Sequence, residues 1–287
     1  MKPKIDFDLL FRALAESRTL HPCGGATYQI YQAAADELLE KAALRETTPK
    51  PFGFGPFGEL SFPYHAMGER DTVHLFGLDE LIIFAFYHAN RSRYRKALDI
   101  GANVGLHSII MSRCGFAVTS FEPDPKHFAW LSENLALNKC ASVKPVQAAV
   151  SDHTGEMEFV RVLGNTTGSH LAGAKDSYGK LEKFPVHVEN FATAVAGVDF
   201  VKIDAEGHEL EILLSAPGET WKKCDAMVEV GSVKNAERIF EHSQKCGFNL
   251  FAQKTGWNKV RNAGEIPTSH REGSLFISGK AEMPWGG

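Results

Sequence analysis

Apolar and polar positions follow one rhythm in the first third of the chain and another after it. Residues 7–17 and 27–44 read as helices, the second with Tyr28, Tyr31, Ala35, Leu38 and Leu39 near the 3.6-residue period. The stretch TTPKPFGFGPFGELSFPYHAMGER, dense in Gly, Pro and Phe, breaks that period and holds at most a short strand at 59–62. Residues 77–91 read as a third helix. From Lys96 onward strand-like apolar runs alternate with helices. KALDI is followed by NVGLHSIIMSRCG, which stops at Gly115, and AVTSFEP by DPKHFAWLSENLALN, with Pro125 in its first turn. SVKPVQAAV reads as a third strand. EMEFVRV and KFPVHVE then form a hairpin around the polar loop GNTTGSH. VDFVKID and GHELEILLS resume the alternation, DAMVEV precedes a helix over 234–246, and GFNLFAQ and GSLFIS close the chain as short strands. Repeated β–α units predict an α/β domain over 76–287, with a mostly parallel sheet covered by helices on both faces. Residues 1–75 form a helical and loop extension, expected to act as a cap or a substrate wall.

Composition narrows function more than fold. The 287 residues suffice for one large α/β domain with additions, and 44% hydrophobic with 23% charged residues is ordinary for a globular chain. A net charge of −4 provides no global pull toward nucleic acid or anionic membrane. The densest basic run, RSRYRK, reads as a solvated helix end. Five scattered cysteines, none in a Cys-x-x-Cys pair, argue against a disulfide framework or zinc ribbon and for a reducing compartment. The opening MKPKIDFDLLFRALAESRTL mixes acids with apolar residues, as an amphipathic helix does and a signal peptide does not. The longest apolar run, LIIFAFY, is far too short to span a bilayer. The expected setting is cytoplasmic, with neither nucleic acid nor membrane as partner; a homo-oligomer stays open.

LDIGANVG joins a strand to its helix and brings Asp99, Gly101, Asn103 and Gly105 to the turn. Glycine there lets backbone approach a ligand at the carboxyl end of a sheet. Glu122 ends the next strand roughly 20 residues on, where an acid accepts hydrogen bonds from ribose hydroxyls in nucleoside-binding α/β folds. The full G-x-G-x-x-G spacing is missing, because Asn103 stands where a second glycine would admit a pyrophosphate. No Arg or Lys lies in the loop. A nucleoside without phosphates, of which S-adenosylmethionine is the common one, fits better than a dinucleotide. An NAD-dependent oxidoreductase on a similar sheet remains the second reading.

LDIGANVGLHSI, FEPDPKHFAWLSENLALN, AAVSDHTGEMEF, VDFVKIDAEGHELEIL and AMVEV, in this order, resemble the FkbM family of S-adenosylmethionine-dependent methyltransferases over residues 96–277. The first two motifs are shared by class I methyltransferases generally, whereas KIDAEGHE is more specific to the family. The resemblance implies a Rossmann-like class I sheet of seven strands, S-adenosyl-L-methionine as cofactor, and O-methylation of sugar or polyketide hydroxyls on a small molecule or glycan. Carried over by position, Gly101 and its neighbours Asp99, Asn103 and Gly105 would line the methionine moiety. Glu122 would hold the ribose, and the turn from Ala148 to Asp152 would flank the adenine.

Lys202 and Asp204 stand two apart on a strand that should be core, so they share a face. An unpaired lysine there is costly, and Asp204 is its nearest partner. The usual class I strand order sets AMVEV beside this strand, which brings Glu229 into range. Asp204 is then expected to orient or deprotonate the acceptor hydroxyl, with Lys202 as structural and electrostatic partner and Glu229 completing the cluster. A metal on Asp204 and Glu229 is disfavoured, because Lys202 competes for the same oxygens and no third acid is evident. Glu206, His208 and His170 are the acceptor-side candidates. Glu209 and Glu211 read as acids suited to a helix N-terminus, and the isolated His107 as structural. Acceptor determinants are expected in the N-terminal helices, PFGFGPFGELSFPY and GNTTGSH. A third reading, an inactive binding protein on the same fold, sits poorly with intact Gly101, Glu122 and Asp204.

Overall fold

The computed structural model describes residues 5–42 and 44–285; the first four residues of the expected extension lie outside them. Helix α1 (Phe7–Glu16) starts at Asp6, whose carboxylate caps the Leu9 N–H at 2.9 Å, and buries Phe7, Leu10, Phe11 and Leu14. Helix α2 is Ala26–Lys41, starting one residue before and ending three before the expected 27–44. The Gly/Pro/Phe stretch contains the short antiparallel pair β1 (Phe52–Gly53) and β2 (Glu59–Leu60). Here Phe54 sits with its ring centre 4.8 Å from Phe7 and 5.2 Å from Phe11. Gly55 makes this possible: a Cβ there would meet Phe11 at 2.9 Å, and its φ is +56°. Helix α3 (Leu78–Ala89) is apolar almost all round and is buried accordingly. Its Phe86 and Tyr87 lie 6.0 and 5.5 Å from Phe200, in the middle of the main sheet.

The main sheet is built from β3 (Lys96–Ile100), β4 (Ala117–Phe121), β5 (Val143–Val146), β10 (Phe200–Ile203), β11 (Asp225–Val228), β12 (Asn249–Ala252), β13 (Asn258–Lys259) and β14 (Leu275–Ser278). Its order is β13-β12-β14-β11-β10-β3-β4-β5. The five strands from β11 to β5 are parallel, and β14 enters antiparallel between β11 and β12. This is the expected class I methyltransferase sheet, with the two-residue β13 as an eighth strand. Strands β10 and β11 are buried at every position, as strands covered on both faces must be. One face carries α1 to α3 with α4 (Leu106–Arg113) and α5 (Pro125–Leu137). The other carries α6 (Phe191–Ala194), α7 (Glu209–Ser215) and α8 (Val233–Cys246).

A second sheet has the order β6-β9-β7-β8, from β6 (Ala149–Ser151), β7 (Gly155–Val162), β8 (His170–Leu171) and β9 (Leu181–Asn190). The expected hairpin is its centre, paired from Gly155↔Val188 to Val162↔Leu181. SVKPVQAAV proves to be two strands rather than one. Pro145, which lacks an N–H, is tolerated on the edge strand β5, and the chain turns at Ala148 (N–H to Val146 O, 3.0 Å) to start β6 in the second sheet.

Candidate active site

Strand order reverses between β3 and β10, and at such a switch point the loops diverge to leave a crevice at the carboxyl ends. A cavity of about 480 Å³ lies there, a size suited to a small-molecule ligand.

One end is lined by Gly101, Asn103, Glu122 and the Ala148–Val150 turn, with Ile100 and Phe121 as apolar walls. Gly101 has φ +77°, and a Cβ on it would lie 1.8 Å from the Asp204 carbonyl oxygen, so this turn packs directly on the loop after β10. Glu122 accepts the N–H of Asn103 and of Asp124, each at 2.8 Å. Burial nevertheless pushes its carboxyl up to about 8, against the pull of those two donors. Asn103 Oδ1 is buried without a hydrogen-bond partner. This end therefore presents acceptors to a ligand rich in O–H and N–H donors.

Three cofactor-side candidates lie outside the cavity. Asp99 is wholly buried, bonded to the Ser108 hydroxyl at 2.5 Å and paired in register with Lys202. Gly105 permits contact between helices, since a Cβ would lie 2.4 Å from Leu131. Asp152 is exposed and turned toward His153 (2.7 Å), so its side chain does not reach the ligand space.

At the other end Asp204 and Glu229 line the cavity, one residue beyond β10 and β11, aligned by the Glu229 N–H to Ile203 O bond of 3.1 Å. Lys202 Nζ donates to Asp204 Oδ2 at 3.0 Å from behind the wall. Burial would lower the Lys202 pKa, but the carboxylates of Asp204, Asp99 and Glu80 outweigh it and hold the ammonium above the ordinary lysine value. Lys202 is thus a fixed cation. For Glu229 burial comes first, then repulsion from Asp204, Glu206, Glu80 and Glu209, and together they hold its carboxyl well above the usual range. Among the described residues no group of three or more His, Cys, Asp or Glu is arranged to hold a metal ion.

The turn between β10 and α7 differs from a simple helix start. The helix begins only at Glu209, after Glu206 (φ +51°) and Gly207 (φ +102°) take left-handed conformations. Glu209 is not a solvated helix-end acid. It is 3% exposed and accepts the N–H of Ala205 at 2.9 Å and of Gly207 at 3.0 Å, tying the turn together. Glu206 lines the cavity and pairs with Lys175. His208 points the other way: it is buried, with Nε2 on the Ser151 hydroxyl at 2.7 Å, and joins α7 to the second sheet. His170 lines the cavity, but both ring nitrogens are engaged, with Gly168 O and Ser177 Oγ at 3.1 Å each.

The expected acceptor wall divides. The GNTTGSH loop and α2, through Tyr28 and Gln32, line the cavity. The PFGFGPFGELSFPY segment does not, because its Phe54, Phe57, Leu60 and Phe62 are spent on the core beneath. Glu80, Arg70 and Lys175 also line the cavity without having drawn notice in the sequence. Glu80 sits in the first turn of α3, where an acid is what any helix favours, and Arg70 and Lys175 belong to no pattern.

Residues 99–250, just over half of the chain, match the family model described as the methyltransferase FkbM domain. Methyltransferase sdnD of Sordaria araneosa is 29% identical over 201 residues, covering 56% of this chain and 76% of its own length. Hexuronic acid methyltransferase AglP of Haloferax volcanii is 33% identical over 116 residues, 40% of this chain and 47% of its own. Among solved structures, the SAM-dependent methyltransferase of Agrobacterium tumefaciens is similar at 11% identity and a TM-score of 0.41, with 80% of this chain and 69% of that one covered.

Proposed function

This chain belongs to the FkbM methyltransferase family, whose methyl donor is S-adenosyl-L-methionine, and from that premise we propose that it methylates a hydroxyl oxygen of a small molecule or glycan. The observation that carries the reading is one cavity with donor-seeking acceptors at one end and the Lys202–Asp204 pair serving the other. The acceptors fit the cofactor. Glu122 would take the ribose hydroxyls, and the unpaired Asn103 Oδ1 would accept a further donor. The Gly101 turn leaves the backbone close enough for the methionine part. The relative named as a hexuronic acid methyltransferase favours a sugar acceptor.

When bound, the cofactor supplies a methyl group activated by a sulfonium, whose carbon–sulfur electron pair leaves with sulfur. The chain must align the acceptor oxygen and remove its proton. Asp204 is suited to both. Lys202 occupies Oδ2 and fixes the carboxylate plane, while Oδ1 has no partner among the described residues. As the acceptor oxygen takes the methyl carbon, its proton passes to Asp204 and then to water. Alignment supplies much of the acceleration, and a positioned base contributes about 10²–10⁴-fold. Burial and the neighbouring carboxylates favour the protonated form of Glu229, which limits the negative charge beside Asp204.

The test is calorimetry with S-adenosylmethionine and NAD, followed by labelled-methyl transfer to glycosides and uronic acids with mass detection of products. Binding of S-adenosylmethionine and a label stable to mild base on a hydroxyl are expected. Preference for NAD, or a label that mild base removes as an ester, overturns hydroxyl methylation.

A further inference from the structure

The chemistry above leaves one cavity carboxylate unused. Glu80 comes from α3, outside the motifs that mark the methyltransferase, yet it lines the same cavity as Asp204. Its Oε2 meets His107 Nε2 at 2.8 Å, and His107 Nδ1 meets the Tyr87 hydroxyl at 3.0 Å. The proton positions follow from burial. Tyr87 is fully buried, which holds its phenol protonated, so its O–H donates to Nδ1. The imidazole proton is then on Nε2, and it donates to Glu80. The His107 ring is held edge-on by Phe84, with centres 4.9 Å apart, which fixes the direction of that bond.

Oε1 of Glu80 has no partner among the described residues. The titratable groups facing Glu80 come from four places: His107 on α4, Lys202 on β10, Arg70 before α3, and Glu229 after β11. Burial alone would raise the Glu80 pKa, but His107, Lys202 and Arg70 more than offset it, so the carboxylate is ionised. Glu80 and Asp204 line this one cavity, each with a carboxylate oxygen that no described residue bonds, and Lys202 donates to Asp204 at 3.0 Å. A tightly held carboxylate oxygen that no protein donor satisfies selects a ligand that supplies one.

We propose that Glu80 is a second acceptor-binding carboxylate, taking another hydroxyl of the acceptor that Asp204 holds in the same cavity, with His107 and Tyr87 as positioning residues. This rests on the hydroxyl-methylation reading above and narrows it. The acceptor then carries more than one hydroxyl, as a sugar does, because a lone hydroxyl would engage only one of the two carboxylates that line the cavity.

The protein would be assayed for labelled-methyl transfer to methyl β-D-glucopyranosiduronic acid, methyl β-D-glucopyranoside and, as a lone hydroxyl, cyclohexanol. The expected result is transfer to a glycoside and none to cyclohexanol. Glu80→Gln is expected to raise the glycoside KM about 10–100-fold, the scale of a lost charged hydrogen bond, with S-adenosylmethionine Kd and Tm unchanged. If the wild type methylates a glycoside and Glu80→Gln keeps its KM, the Glu80 assignment is wrong while hydroxyl methylation stands. If the wild type methylates no glycoside, the sugar reading falls and the inference with it. Should Glu80→Gln lower Tm, Tyr87→Phe decides, since it keeps the ring and removes only the hydroxyl that orients His107. A raised glycoside KM at unchanged cofactor Kd then supports the relay, and an unchanged KM overturns it.

Discussion

Two residues divide the proposed work between binding and chemistry, and each makes a separate prediction. Asp204→Asn keeps the shape and removes the base; turnover is expected to fall about 10²–10⁴-fold while the cofactor Kd stays within a few-fold, as single-turnover assays and calorimetry would read. The reverse pattern would move Asp204 to the cofactor side. Glu122, proposed to hold the ribose, is expected to set the pH dependence of cofactor binding. Its carboxyl titrates near 8 in the folded protein against 4.5 ordinarily, so the folded state holds an extra proton between those values. The stability this contributes is present below 4.5 and lost as pH rises through 8, so Tm of the ligand-free protein is expected to fall across that window. Cofactor binding runs the other way, because ribose hydroxyls need the ionised form. Affinity is expected to rise by up to about tenfold per pH unit until about 8 and then level off, with Glu122→Ala flattening the profile. A pH-independent wild-type Kd would remove Glu122 from ribose binding. The residue scale is also where the sequence misled. His208 was an acceptor-side candidate by its place in the motif, but the left-handed turn at Glu206 and Gly207 swings it onto Ser151. No single-chain pattern announces that turn.

Among the elements, the β10–α7 connection has the most consequence for its length. Its backbone abuts the Gly101 turn on one side, and Glu209 ties its Ala205 and Gly207 N–H groups on the other. Removing that buried acceptor leaves two donors unpaired. Glu209→Ala is therefore expected to cost about 1–3 kcal/mol in chemical denaturation and to reduce turnover more than cofactor binding. A loss below about 0.5 kcal/mol, usual for surface substitutions, would return Glu209 to the role of a helix-end acid. The strand–helix alternation from Lys96 was legible because apolar period and turn chemistry agreed, as at Asp124, whose carboxylate caps the Lys126 N–H at 2.8 Å ahead of Pro125. The break in SVKPVQAAV was not, because nothing local separates one edge strand from two strands in different sheets.

For the whole molecule, the N-terminal segment is bound into the core of the sheet. One apolar cluster runs from Phe7 and Phe54 through Phe84 and Phe86 to Phe200 and Phe276. Gln253 Nε2 donates to Asp79 Oδ1 at 2.6 Å, and Trp257 Nε1 to His21 Nδ1 at 2.9 Å, fastening the same segment to the far strands. Phe54→Ala, although outside the cavity, is expected to cost about 3–5 kcal/mol and to weaken catalysis by loosening the α3 roof. Unfolding that leaves the sheet stable while the first 75 residues melt would show instead that the two are independent. By itself the sequence determined the α/β alternation, the glycine turn with its acid, and the pairing of Lys202 with Asp204, because each depends on periodicity or on the cost of burying an unpaired charge. Only the tertiary structure decided which acids face the cavity. Glu80 reaches it from α3, outside the motifs, while Asp152 and His208, within them, turn away. Side-chain direction at a crevice is set by strand order and loop handedness, which local sequence does not encode.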